Sequence, residues 1–144
     1  MLSYQHAFHA GNLADVHKHS LLAWTLNYLI QKDKPLTYIE THAGRGLYHL
    51  TAPEAAKTGE AAAGILAHEN WFPEDHPYAR ALYDCRQMNG ADSYPGSPLI
   101  AALTLRETDK IHLAELHPQE HQALSETLTP WGATIHKRDG FDLA

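Results

Sequence analysis

A chain of 144 residues with 44% hydrophobic and 19% charged residues is long enough to bury one globular core, which excludes a disordered or fibrous protein. A formal net charge of -6, from 17 acidic and 11 basic residues, argues against a protein that coats nucleic acid non-specifically, because such binding rests on neutralising phosphates; docking on one RNA site through a local patch stays open. One cysteine, Cys85, excludes an internal disulfide, and the longest mostly apolar run, residues 21–30, is too short for a bilayer and lacks the flanks of a secretion signal, so a cytoplasmic protein without membrane contact is expected.

Residues 1–11 are rich in histidine and aromatic side chains and have no clear period. Asn12 or Asp15 can start a helix running to about Lys32, with Leu22, Leu26 and Leu29 as its apolar stripe. Pro35 ends it, and residues 36–40 read as a short strand followed by a glycine-bearing turn over residues 41–46. Residues 58–69 have an alanine-rich helical spacing, Pro73 and Pro77 break it, and residues 78–88 suit another helix. Ser97 is a good N-cap with Pro98 at the first helical position, which predicts a helix to Arg106. A strand over residues 111–116, a helix over 118–128 and a strand over 133–137 follow, and this alternation predicts a parallel sheet flanked by helices.

Three positions at the ends of successive strands can carry chemistry. The Gly44-x-Gly46 turn lets backbone approach a ligand closely, although an ordinary loop would look the same. It lacks the third glycine of a dinucleotide fingerprint, because His49 stands there. Glu115 near the end of the second strand can accept hydrogen bonds from ribose hydroxyls, or be a solvated strand end. Asp139-Gly140 past the third can take an adenine amino hydrogen, or be a simple turn. Together they describe one nucleoside-sized crevice. The 12 histidines invite a metal reading, but His17 and His19 lie two apart on a helix and point to nearly opposite sides, and no cysteine joins them; no metal is expected.

Several long blocks carry a family resemblance. Ser3-Tyr4-x-His6-x-Phe8-His9-Ala10-Gly11-Asn12-x-Ala14-Asp15-x-x-Lys18-His19 closely resembles the opening of the ribosomal RNA adenine-N6 methyltransferases of the RlmJ type. So do Tyr38-x-x-Thr41-His42-Ala43-Gly44-x-Gly46, Tyr94-Pro95-Gly96-Ser97-Pro98-Leu99-Ile100-Ala101, Glu115-Leu116-His117-Pro118 and Asp139-Gly140-Phe141. The resemblance implies a partial Rossmann-like α/β core that uses S-adenosylmethionine, with residues 1–46 leading into the first strand, a small helical insertion over 47–93, and the core continuing over 94–144. It implies that His19, His42, Ser97, Glu115, Asp139 and Gly140 contact the cofactor. It further implies that Tyr4 touches the RNA substrate, with Lys18 helping to position it, both outside the cofactor crevice.

In that family the catalytic residue is the aspartate of an Asp-Pro-Pro-Tyr motif, and the tetrapeptide does not occur in these 144 residues. The expectation is therefore a chain that stops before the motif. Alone, it should hold parts of a cofactor site, transfer no methyl group and self-associate through its first strand. The implied activity of the complete enzyme is methylation of adenine N6 in 23S ribosomal RNA. The rival is a non-catalytic nucleic-acid-binding or DNA-utilisation protein, because the family has also been linked to use of external DNA.

Overall fold

The computed structural model describes residues 4–143; Ser3, the first residue of the opening block, lies outside them. A 3-10 turn over His6–Phe8 leads to helix α1, Leu13–Leu29. The Asn12 side chain accepts the backbone N–H of Asp15 and so caps the helix, as its residue type favours. The buried residues of α1 are Asp15, Val16, His19, Ala23 and Leu26; of the three leucines read from the sequence Leu26 is buried, Leu22 packs half-buried against the same core, and Leu29 is exposed. Leu21, Trp24 and Tyr28 are exposed as well, so apolar residues occupy both faces and the leucine spacing could not say which face packs.

Strand β1, Thr37–Glu40, carries the chain to the glycine turn. A short strand β2, Leu47–His49, then opens an excursion of helices: α2 Pro53–Thr58, α3 Glu60–Ala63, α4 Ile65–His68 and α5 Pro77–Asn89. The stretch expected as one helix over residues 58–69 is thus broken, because Gly59 adopts φ 67° and Gly64 sits where a Cβ would lie 2.1 Å from the Gly11 carbonyl. Strand β3, Ser93–Pro95, closes the excursion by pairing antiparallel with β2, a pairing that three-residue strands did not announce.

Helix α6, Ser97–Thr104, has Gly96 as its N-cap; the Ser97 hydroxyl caps nothing and instead donates to the Glu40 carboxylate. Ser97 stands at the first helical position, one residue past the cap, so its hydroxyl is free to donate to the carboxyl group that closes β1. Strand β4, Lys110–Ala114, helix α7, Pro118–Leu128, strand β5, Thr134–His136, and helix α8, Gly140–Leu143, complete the order. The observed α6, β4 and β5 are each shorter than the sequence predicted, as fraying ends are.

The sheet has the order β1-β4-β5 with all pairs parallel, Thr37 opposite Lys110 and His112 opposite Thr134. The protein is therefore α/β, with a Rossmann-like parallel sheet and a helical insertion between its first two strands. Among the described residues β1 is an edge strand, and Ile39 on it is 51% exposed. The starts of β1 and β4 are locked by Arg106, whose guanidinium donates to the carbonyls of Ile30, Lys32 and Lys34 and pairs with Asp109. Asp109 also accepts the Leu36 N–H, and the Arg106 hydrogen bond is the main reason its carboxyl is held down at about 2.

Two cores result. One lies between the sheet and α6 and α7 and is aliphatic, built on Leu113, Leu124, Leu128 and Ala102. The other joins α1, α5, α6 and the β2–β3 pair, and includes the buried rings of Tyr48, Tyr78 and Tyr94.

Candidate cofactor site

The parallel strands all end at one edge, and the turns beyond them build the site. The turn after β1 is set by Gly46, at φ 83°, where a Cβ would also meet a Leu128 side-chain carbon at 2.7 Å. Between the glycines, Arg45 makes a two-pronged pair with the buried Glu120 in the first turn of α7, at 2.9 and 2.5 Å. Such a pair fixes direction as well as distance. Glu115 then bridges two turns: one carboxylate oxygen accepts the Gly44 N–H at 2.9 Å and the other the His117 N–H at 2.9 Å. A carboxylate has about four acceptor positions, so two are left for a ligand.

Past β5, Asp139 is exposed and accepts the Phe141 N–H at 2.9 Å, which opens α8. Gly140 is required by close approach: a Cβ there would lie 1.8 Å from the Thr41 carbonyl oxygen. His42 is exposed on the β1 turn, and its ring meets Phe141 edge to face at 5.3 Å.

Two adjoining hollows lie along this edge. The larger, about 330 Å³, includes His19, Ser97, the glycine turn, Glu115 and His42 in its walls. The smaller, about 180 Å³, is lined by Asp139, Gly140 and Phe141 together with His42 and Glu115. His42 and Glu115 belong to both, so the six residues expected to touch a cofactor line two neighbouring hollows with two wall residues in common. Tyr4 and Lys18 correct the expectation. Both line the larger hollow instead of lying outside it, because Asp15 in the first turn of α1 draws the N-terminal segment and Lys18 toward one carboxylate.

Burial tunes the groups beneath the crevice. His19 is 4% exposed, and burial pushes its imidazole down to about 4, so it is neutral near pH 7. Its Nδ1 meets the Tyr94 hydroxyl at 2.8 Å, and Tyr94 meets Tyr78 at 2.8 Å. Asp15 is fully buried. Burial would raise its carboxyl, but hydrogen bonds from His6 and the Gly11 N–H, with the charges of His19 and His6, outweigh that and hold it below the usual range. Its Oδ1 is a buried polar atom with no hydrogen-bond partner.

Glu40, Asp15 and His6 were not singled out in the sequence. Glu40 ends β1, accepts from Ser97 and from the Tyr38 hydroxyl, and is pushed up to about 7 by burial, against the pull of those two hydrogen bonds. An acid closing a strand just before a glycine turn was the available signal. Among the described residues no group of three or more histidine, cysteine or acidic side chains is placed to hold a metal ion. No described helix is long and apolar enough to cross a membrane.

A parallel sheet whose strands end in a glycine turn, a doubly engaged glutamate and an Asp-Gly turn belongs to the Rossmann-like class of α/β folds, in which ligands sit beyond the carboxyl ends of the strands. A family model described as ribosomal RNA large subunit methyltransferase D, RlmJ, matches residues 33–144, and the chain belongs to that family. It is 44% identical to ribosomal RNA large subunit methyltransferase J of Escherichia coli (strain K12) over 147 residues, covering 98% of this chain and 52% of the relative. The protein of the same name from Haemophilus influenzae is 45% identical over 130 residues, covering 86% and 46%. A crystal structure of a Legionella pneumophila protein superposes with a TM-score of 0.74 at 36% identity, covering 93% of this chain and 51% of that one. The chain spans about half the length of the curated relatives it matches.

Proposed function

We propose that this chain forms the cofactor-binding part of a cytoplasmic enzyme that methylates N6 of an adenine in 23S ribosomal RNA, with S-adenosylmethionine as donor. The observation that carries the reading is that Glu115 and Asp139, on the ends of neighbouring strands, line two neighbouring hollows that share His42. The residues suit the group. Glu115 has acceptor positions for ribose hydroxyls, Asp139 can take an adenine amino hydrogen, and Gly140 leaves room where a side chain would collide. His42 and Phe141 offer ring faces at the nucleoside end, while His19 and Ser97 would hold the amino-acid end.

When bound, the cofactor supplies an electrophilic methyl group on a sulfonium. The protein's own contribution is then orientation and electrostatics. Neutral His19 adds no positive charge to the wall of the larger hollow, and the Glu40 carboxyl lies behind Ser97, which suits a cationic ligand. Lys18, exposed at the rim, and Tyr4, 69% exposed, are the groups best placed to meet RNA.

The test is calorimetric titration of S-adenosylmethionine into the protein and into Glu115→Ala. Binding should weaken by about 1–3 kcal/mol in the variant, the scale of lost hydrogen bonds to a charged group. Equal affinity in two folded proteins would sink the assignment. Isotopic methyl transfer to 23S ribosomal RNA by the full-length protein tests the reaction and separates it from non-catalytic nucleic-acid binding.

A further inference from the structure

Three side chains outside the cofactor contacts form a directed chain. Asp15 Oδ2 accepts from His6 Nε2 at 2.6 Å, and His6 Nδ1 lies 2.6 Å from the Tyr4 hydroxyl. A neutral imidazole carries one N–H and one acceptor nitrogen. With a buried carboxylate on Nε2, that nitrogen must be the donor, so Nδ1 is the acceptor and the Tyr4 phenol donates to it. The same carboxylate is fixed from behind by the Gly11 N–H at 3.0 Å and has Lys18 Nζ at 3.6 Å from its other oxygen. All four side chains line the larger hollow, where Asp15 Oδ1 is buried and, beside Lys18, accepts no hydrogen bond.

We propose that Asp15 is a positioning residue that sets the hydrogen-bond direction through His6, leaving the Tyr4 oxygen in the cleft as an acceptor only. A phenol that has committed its one proton presents lone pairs to whatever arrives. The wall therefore welcomes a base edge that offers an N–H, such as the exocyclic amine of adenine, and rejects an edge that offers a carbonyl oxygen. Leaving two acceptors face to face costs affinity, and sites built on one hydrogen-bond polarity discriminate strongly. Tyr4 is stacked flat on His9 at 5.4 Å, and His9 pairs with Glu60 of α3, which steadies the ring without altering the polarity of its oxygen. The inference rests on the proposed adenine substrate and adds the device that would select it.

The test compares the full-length protein with Asp15→Asn and Tyr4→Phe. Long-range proton–nitrogen NMR should show His6 as the Nε2–H tautomer in the unaltered protein and as a mixture in Asp15→Asn, whose amide can donate as well as accept. NMR titration with adenosine and inosine 5′-monophosphates should show a preference for the amine-bearing base, reduced about tenfold in either variant, the measure of one hydrogen bond. The double variant should lose no more than either single one. An Nδ1–H tautomer in the unaltered protein, or an undiminished preference in the variants, would overturn the proposal. If Asp15→Asn fails to fold, Tyr4→Phe, at an exposed ring, decides alone. A protein with the expected tautomer and preference but no methyl transfer to ribosomal RNA would overturn the proposed reaction and leave this relay standing.

Discussion

The two cores of this molecule are built from different chemistry. Beneath the sheet, Leu113, Leu124 and Leu128 are fully buried with no polar group among them. Under the crevice, the packing of α1, α5 and α6 is threaded by hydroxyls and a neutral imidazole, Tyr78 to Tyr94 to His19. Aliphatic packing is tolerant of detail and supplies the frame. A buried polar chain is costly unless every member is satisfied, so it tolerates few arrangements and thereby fixes where His19 stands. The frame holds the strand ends together; the threaded core aims one wall of the crevice at them.

The sharpest way to break this contrast is to damage the two cores separately. Leu128→Ala removes a side chain packed against the glycine turn and should cost about 2–5 kcal/mol in chemical denaturation. A loss under about 1 kcal/mol would mean that the sheet core is not the frame. Tyr94→Phe keeps the ring and removes only the hydroxyl between His19 and Tyr78. It should cost about 1–3 kcal/mol, the penalty of leaving buried partners unpaired, and should loosen ligand binding while the unfolding transition stays cooperative. A stability equal to the unaltered protein would show the chain to be incidental.

Acid should act on the threaded core first. The His19 imidazole titrates at about 4 when folded against 6.5 when exposed, so the unfolded chain binds the extra proton in that window. Stability contributed by neutral His19 is therefore lost as pH falls from 6.5 toward 4. His19→Gln should flatten melting temperature across this range, and an unchanged slope would assign the acid sensitivity elsewhere. Glu40 has the opposite sign. Its carboxyl stays protonated to about 7 when folded but releases its proton near 4.5 when unfolded, so its burial costs stability as pH rises through that window. Glu40→Gln should melt about 3 °C higher than the unaltered protein near pH 8, with the difference gone near pH 4. Equal melting at both ends would mean that the folded carboxylate is well solvated.

The sequence told more about the frame than about the threaded core. Alternation of helix and strand after Gly96 specified β4, α7 and β5, and the glycine turn, Glu115 and Asp139-Gly140 pointed to one crevice because strand ends in a parallel sheet share an edge. It could not tell that β2 and β3 pair, since three-residue strands carry no period. Nor could it show that Ser97 serves Glu40 instead of its helix, because local capping preference says nothing of a carboxylate 57 positions away. Asp15 was visible as a candidate helix start and, with His6, as a member of a motif, but neither as a site residue. Their joining depends on the 3-10 turn at His6–Phe8, which brings the N-terminal segment back onto α1.

The helical excursion leaves and rejoins the sheet at Gly46 and Gly96, whose backbones meet in one hydrogen bond of 2.8 Å. A doorway that narrow has an evolutionary consequence. The entropy of closing a loop grows slowly with its length, so ancestral insertions and deletions between these glycines could accumulate without shifting the register of a single strand. Recombination at this doorway would exchange the surface offered beside the crevice while inheriting the strand ends unaltered. The segment between Gly46 and Gly96 can thus change length at its exposed turns, whereas any graft has to bring its own Tyr78 and Tyr94, which hold His19 in place.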